Sequence, residues 1–198
     1  MHQLDVLVVC LGNVCRSPLA ERVLRQRFDQ LLGREGRTVR VSSAGAVALV
    51  GRQMDADAAA ALRALGGDPE GFVSRQWRGE LADGADLVLA ATREQRSRVL
   101  EDAPRALKRT FTIREFAALA RAVAEEPPAP KSPAELVRRA AAWRSAAGIE
   151  DYDVPDPFGC SLEVHEQVAG LLERECTTIA EALSAALLRS EPRPLAQS

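Results

Sequence analysis

Val8-Val9-Cys10-Leu11-Gly12-Asn13-Val14-Cys15-Arg16-Ser17-Pro18 decides the fold of this 198-residue chain. Residues 4–9 form a β-branched-rich apolar run with the length and composition of a buried parallel strand. Ser17 suits a helix N-cap and Pro18 the first helical position, where the N–H that proline lacks would be unpaired anyway. The stretch reads as strand, tight loop and helix, with Cys10 at the end of the strand. A loop wrapped in this way aims successive backbone N–H groups at one point, and the helix N-terminus adds partial positive charge there, which makes an anion site. Gly12 takes a positive φ freely, and Asn13 is among the few other residues that tolerate one. Arg16 supplies a rigid fork that can grip two oxygens of a tetrahedral oxyanion. The same positive field favours thiolate over thiol at Cys10, so a nucleophile is ready without a histidine base.

The segments that follow continue the alternation. Ala20, Val23, Leu24, Phe28, Leu31 and Leu32 give residues 17–32 one apolar stripe, which stops at Gly33. Residues 38–43 alternate and are β-branched, so they read as a second strand. Asp55 caps a helix running through Leu65 to Gly66-Gly67. Residues 85–90 read as a third strand, 92–101 as a helix and 109–113 as a fourth strand. Strands this short and apolar, separated by helices, predict an α/β fold: a four-stranded parallel sheet with helices on both faces. Ligands of such sheets sit beyond the carboxyl ends of the strands, where Cys10 lies.

Further along, residues 114–124 read as a helix and Glu125-Glu-Pro-Pro-Ala-Pro130 as a stiff extended linker. Ser132-Pro-Ala-Glu135 has the form of a capping box and opens a helix to about residue 147, stopped by Gly148. Two expectations attach to the helical insertion at about 114–152. It is a lid or rim over the active site, or a solvated addition whose Arg138, Arg139 and Arg144 are merely exposed. Residues 161–188 read as a long helix that packs on the sheet through Val164, Val168, Leu171, Leu172, Ile179, Leu183 and Leu187. Cys176 falls on that stripe as a core residue, and His165 falls off it without a role. Residues 190–198 read as a disordered tail, which leaves 1–189 as one domain.

Composition excludes several classes. The length suits a single domain with a sizeable core, and a net charge of −2 argues against a general nucleic-acid binder. Cys10, Cys15, Cys160 and Cys176 show no metal-ligand spacing, and His2 and His165 give no zinc pattern, so neither metal nor cofactor is expected. The apolar run at 4–11 is too short for a signal-peptide core with proper flanks or for a membrane span. The expectation is a cytoplasmic, monomeric enzyme with reduced thiols and no membrane partner.

Cys10-Leu-Gly-Asn-Val-Cys15-Arg16-Ser17 is a Cys-x5-Arg loop with an internal Gly-Asn, and it resembles the phosphate loop of the low-molecular-weight protein tyrosine phosphatases. Asp156-Pro157-Phe158, with prolines on both sides of the aspartate, resembles that family's general-acid loop. The resemblance implies a three-layer phosphotyrosine-phosphatase-I-like fold and a phosphomonoesterase that works through a cysteinyl-phosphate. It makes Cys10 the nucleophile and Leu11, Gly12, Asn13, Val14, Cys15 and Arg16 the cradle of the phosphoryl group. Ser17 hydrogen-bonds the thiolate, and Asn13 braces the loop with Ser43 in support. Asp156 protonates the leaving oxygen and later deprotonates the hydrolytic water, a role worth roughly 10²–10⁴-fold; Asp151 and Asp153 are nearby competitors. The partner is a phosphorylated protein or a small phosphate ester. Cys15 either protects Cys10 as a reversible disulfide under oxidation or merely packs the loop.

Some positions depart from the family pattern. Phe158 supplies one aromatic wall, but the other is aliphatic, at Leu49, so stacking on phosphotyrosine should be weaker than in members with two aromatics. Phe72 stands where related sequences often have histidine, and Ala91-Thr92 where they often have Met-Asp; both bear on the polar network behind the loop. Two other readings stay open. One is a thioredoxin-coupled arsenate reductase of the same fold, against which stands the lack of any cysteine between Cys15 and Cys160. The other is a phosphate-binding module without turnover.

Overall fold

The computed structural model describes residues 4–145, 148 and 150–190. Its strands are β1 (Leu4–Cys10), β2 (Val39–Gly45), β3 (Leu87–Ala90) and β4 (Thr110–Thr112), all parallel and in the spatial order β2-β1-β3-β4. From β1 the chain first builds β2 on one side and then β3 on the other. The order reverses at β1, and the crevice at the carboxyl end of such a strand is where these sheets take their ligands. Cys10 is the last residue of β1, in register with Gly45.

The helices are α1 (Arg16–Leu32), α2 (Ala56–Ala64), α3 (Glu80–Asp83), α4 (Arg93–Asp102), α5 (Ile113–Glu125), α6 (Pro133–Trp143) and α7 (Leu162–Arg189). The two-residue period of a strand sorts β1 between two cores. Leu4, Val6, Val8 and Cys10 join a larger cluster beneath α1, α2, α5, α6 and α7, whereas Leu7 and Val9 join a smaller one beneath α3 and α4. Three layers result, as expected. Leu24, Leu89, Phe111, Phe116 and Leu172 are fully buried, each worth about 1.5–3 kcal/mol relative to exposure.

Three local readings are corrected. First, α1 begins at Arg16, with Cys15 in the N-cap position and no side-chain cap. Ser17 cannot cap because its hydroxyl is engaged with Cys10 and Asn13. Pro18 still falls in the first turn, where its missing N–H costs nothing. Second, the buried stripe of α7 runs through His165, Val168, Ala169, Leu172 and Cys176, one step from the predicted Val164 and Leu171, which are only partly covered. The first turn of α7 lies against the cap of α2, and that contact sets the rotation.

Third, the core-facing sides of α5 and α6, rather than a cover over the loop, account for the sequence at 114–143. A reciprocal capping box between Thr112 and Glu115 starts α5, whose Phe116, Leu119 and Val123 are fully buried, and α6 adds Leu136 and Ala140. Arg138 faces solvent as expected, but Arg144 does not: its guanidinium lies 4.3 Å over the Phe111 ring, with Nε 2.8 Å from the buried Glu115 carboxylate. Ser132 accepts the Glu135 N–H, yet the Glu135 side chain takes the Lys131 N–H and leaves the predicted box open. Residues 146, 147 and 191–198, on which the predicted helix end and most of the tail fall, lie outside the described residues. No helix among the described residues is long and apolar enough to cross a membrane.

Candidate active site

Residues 10–17 turn from β1 into α1 through Asn13 at φ 56°. The carbonyls of Cys10, Leu11, Gly12 and Val14 face outward and accept the N–H groups of Ala46, Val47, Leu49 and Asp55 at 2.9–3.0 Å. In a trans peptide the C=O and the following N–H point in opposite directions. The amides of Leu11, Gly12, Asn13 and Cys15 consequently turn toward the inside of the loop. The Asn13 N–H shows this directly, donating to Cys10 Sγ at 3.3 Å. These converging donors, with the helix N-terminus behind them, make the anion nest that the sequence predicts. Gly45 is required beside it, since a β-carbon there would lie 2.7 Å from the Leu11 carbonyl oxygen.

A buried polar network holds the loop. Cys10 Sγ is 2.9 Å from Ser17 Oγ. The Asn13 side-chain amide donates to Ser17 Oγ and Ser43 Oγ, each at 2.9 Å, and its oxygen accepts the Arg75 N–H at 2.8 Å. Asn13 is wholly enclosed, so these partners satisfy groups that would otherwise be costly to bury. Arg75 also donates Nε to the Ser43 carbonyl. The network needs no histidine at Phe72, which is buried as part of the core, and at Ala91 it uses only backbone: the Ala91 N–H goes to Val9 and its carbonyl accepts from Val154.

Arg16 is 3% exposed and links the two loops. Its Nη1 donates to the Val154 carbonyl at 3.2 Å and its Nη2 to Asp156 Oδ2 at 2.5 Å. Among the described residues, Nε is buried without a partner, a donor that an oxyanion in the nest would satisfy. Asp156 is 44% exposed, and its other oxygen accepts the Phe158 N–H at 3.2 Å, which closes the turn between the two prolines. The competing acids are turned elsewhere. Asp153 accepts the Arg93 N–H at the start of α4, and Asp151 pairs with Arg114, whose guanidinium holds that carboxyl below the usual carboxylate range.

Leu49 stands beside the loop, since a β-carbon on Gly12 would meet its Cγ at 3.9 Å. Phe158 is 57% exposed and tied to the site through its N–H to Asp156. Sequence reasoning missed three participants: Arg75, which acts through its backbone N–H and its Nε, Val154, which acts through its backbone, and His165. Far from being a bystander off the stripe, His165 is 2% exposed and approaches Asp55, the N-cap of α2, at 3.8 Å. A readable signal existed, because position 165 completes the helical period of 168, 169, 172 and 176.

A parallel α/β sheet whose switch-point strand ends in a cysteine, ringed by inward amides and a buried arginine paired to a carboxylate, defines an enzyme of phosphoryl chemistry. The family model described as "Low molecular weight phosphotyrosine protein phosphatase" matches residues 5–136, and the chain belongs to that family and is a phosphatase. It is 31% identical over 180 residues to the low molecular weight protein-tyrosine-phosphatase Etp of Escherichia coli K12, covering 91% of this chain and 95% of Etp. It is 29% identical over 181 residues to Wzb of the same strain, covering 91% and 96%. The structure of the YwlE arginine phosphatase from Geobacillus stearothermophilus matches with a TM-score of 0.72 and 28% identity, over 96% of this chain and 99% of that one.

Proposed function

We propose that this phosphatase hydrolyses phosphomonoesters, with phosphotyrosine in proteins as the leading substrate, through a phosphorylated Cys10. The inward amides of the loop and the Arg16 fork hold the phosphoryl oxygens where charge builds in the transition state. Cys10 Sγ attacks phosphorus, an S–P bond forms and the P–O bond to the leaving group breaks. Asp156 delivers its proton to the departing oxygen, then takes one from the water that hydrolyses the cysteinyl-phosphate, which restores the thiolate. Ser17 and Asn13 position the sulfur, and Leu49 and Phe158 flank the entering group. The observation that carries this reading is the Arg16 guanidinium, which comes from the loop around Cys10 and donates to Asp156 at 2.5 Å, so that nucleophile and acid converge on one cation.

The free state of all four cysteines supports a reducing, cytoplasmic setting, and the one sheet shared by both cores supports a single domain over 1–189. The test is hydrolysis of p-nitrophenyl phosphate by the protein and by Cys10→Ser. The variant should lose about 10⁴-fold or more, the scale of removing a covalent nucleophile, while still binding inorganic phosphate. Near-normal turnover would remove Cys10 from the mechanism. A parallel panel of phosphotyrosine and phosphoserine peptides, alkyl phosphates and phosphoarginine sets the substrate class. A preference for phosphoarginine would replace the tyrosine assignment and leave the chemistry at Cys10 intact.

A further inference from the structure

Behind the phosphate loop lies a group of side chains that the proposed hydrolysis does not use. Cys15 ends the loop, Asp55 caps α2 and His165 sits in the first turn of α7, and one ligand atom from each lies within 4.8 Å of the others. Cys15 and His165 are buried, and Asp55 is 27% exposed.

Among the described residues, no hydrogen bond joins these three side chains to one another. Among the described residues, the buried His165 Nδ1 has no hydrogen-bond partner, and Nε2 faces Asp55 Oδ1 at 3.8 Å, beyond hydrogen-bond reach. Asp55 Oδ1 is occupied by the Asp57 and Ala58 N–H groups, which leaves its second oxygen for another partner. Ligand atoms within 4.8 Å of one another are close enough to share one ion after small side-chain rotations, since bond lengths of ~2.0–2.3 Å set tetrahedral zinc ligands about 3.3–3.8 Å apart. The donor set of thiolate, imidazole and carboxylate is also the one that a borderline-soft transition metal takes.

We propose that Cys15, Asp55 and His165 form a binding site for a divalent transition-metal ion, zinc above all, with the fourth position open to water on the Asp55 side. Binding forms a bond from Cys15 sulfur to the metal and releases the thiol proton to solvent. The ion would brace the phosphate loop from behind, because the Asp55 N–H also donates to the Val14 carbonyl and Cys15 directly precedes Arg16. No zinc pattern is visible in the sequence because the three ligands come from three elements and are separated by 40 and 110 residues.

The experiment uses the full chain carrying Cys10→Ser, reduced and freed of metal by a chelator, so that the reactive sulfur cannot contribute. One equivalent of Co²⁺ should produce the thiolate-to-metal absorption and strong visible bands of a four-coordinate centre, which Zn²⁺ then removes. Zn²⁺ should release about one proton per ion and raise the thermal midpoint. His165→Phe, which suits the buried stripe, and Asp55→Asn, which keeps an N-cap, should both lose these responses while retaining the native circular dichroism spectrum. The proposal is overturned if Co²⁺ gives no thiolate band, or if the band survives in folded His165→Phe. It is equally overturned if the band depends on Cys160 rather than on Cys15.

Discussion

The two loops that meet at Arg16 are built on opposite plans. In residues 10–17 only Leu11 and Gly12 reach the surface: Cys10, Asn13, Arg16 and Ser17 are each at most 3% exposed, and four outward carbonyls are claimed by neighbouring amides. Residues 151–159 run across the surface, and Asp156 is 44% exposed. Besides Arg16, they are held by the Val154 N–H to Ala91, by Asp153 at the start of α4 and by Asp151 and the Asp153 carbonyl on Arg114. The nucleophile's end of the site is thus preorganised by a network that is costly to break, while the acid loop, anchored at the buried Val154, is otherwise steadied by side-chain ties at Asp151 and Asp153 that are solvent-exposed and individually weak. The phosphoryl group is the same in every substrate, whereas the leaving group varies, and the distribution of rigidity follows that division.

Substitutions on either side should sharpen or break this contrast. Asp156→Asn should slow alkyl phosphates by roughly 10²–10⁴-fold and p-nitrophenyl phosphate, whose leaving group needs little protonation, far less. Equal slowing of both in steady-state assays would remove Asp156 as the acid. Arg16→Lys exchanges a two-point fork for a point charge and should reduce kcat/KM by about 10²–10³-fold on all substrates alike; a loss that tracks leaving-group ability would instead place Arg16 with the acid loop. Asn13→Ala strands donors and acceptors in a buried network and should cost about 1–3 kcal/mol in denaturant unfolding, with a fall in kcat common to all substrates.

Arg114→Gln cuts a side-chain tie of the acid loop and should shift the denaturant midpoint less than Asn13→Ala does, with a slight slowing confined to poor leaving groups. The sign of its pH dependence follows from Asp151, whose carboxyl Arg114 holds below its ordinary value. That pairing contributes fully above the ordinary carboxylate value and is lost as pH falls through the lowered one, so wild type and Arg114→Gln should converge in stability in acid. A larger penalty for Arg114→Gln than for Asn13→Ala would invert the contrast between the loops.

How much of this was legible depends on the range of the interactions. The alternation of apolar strands with capped helices, the turn at Gly12-Asn13 and the fork six residues after Cys10 all act within a few residues, and the four strands appear where the pattern puts them, give or take two residues. Asp55 caps α2 for the same reason, whereas Thr92, read as the first residue of its helix, is instead the N-cap of α4. Ser17 was misassigned because two local roles compete for one hydroxyl, and only the position of Cys10 Sγ decides between them. The alternative that leaves Arg144 merely exposed fails because the buried Glu115 that holds it lies 29 residues away.

Residue order alone determined that a cysteine would end a buried strand and face the opening of a helix, since hydrophobic period, glycine and proline are properties of neighbouring positions. Only the tertiary structure decided which acid meets Arg16, that Arg75 braces Asn13 through its backbone, and that His165 turns inward toward Asp55. Those contacts join residues 62 to 140 positions apart. They arise from the packing of helices on a twisted sheet, which imposes proximities that no local pattern encodes.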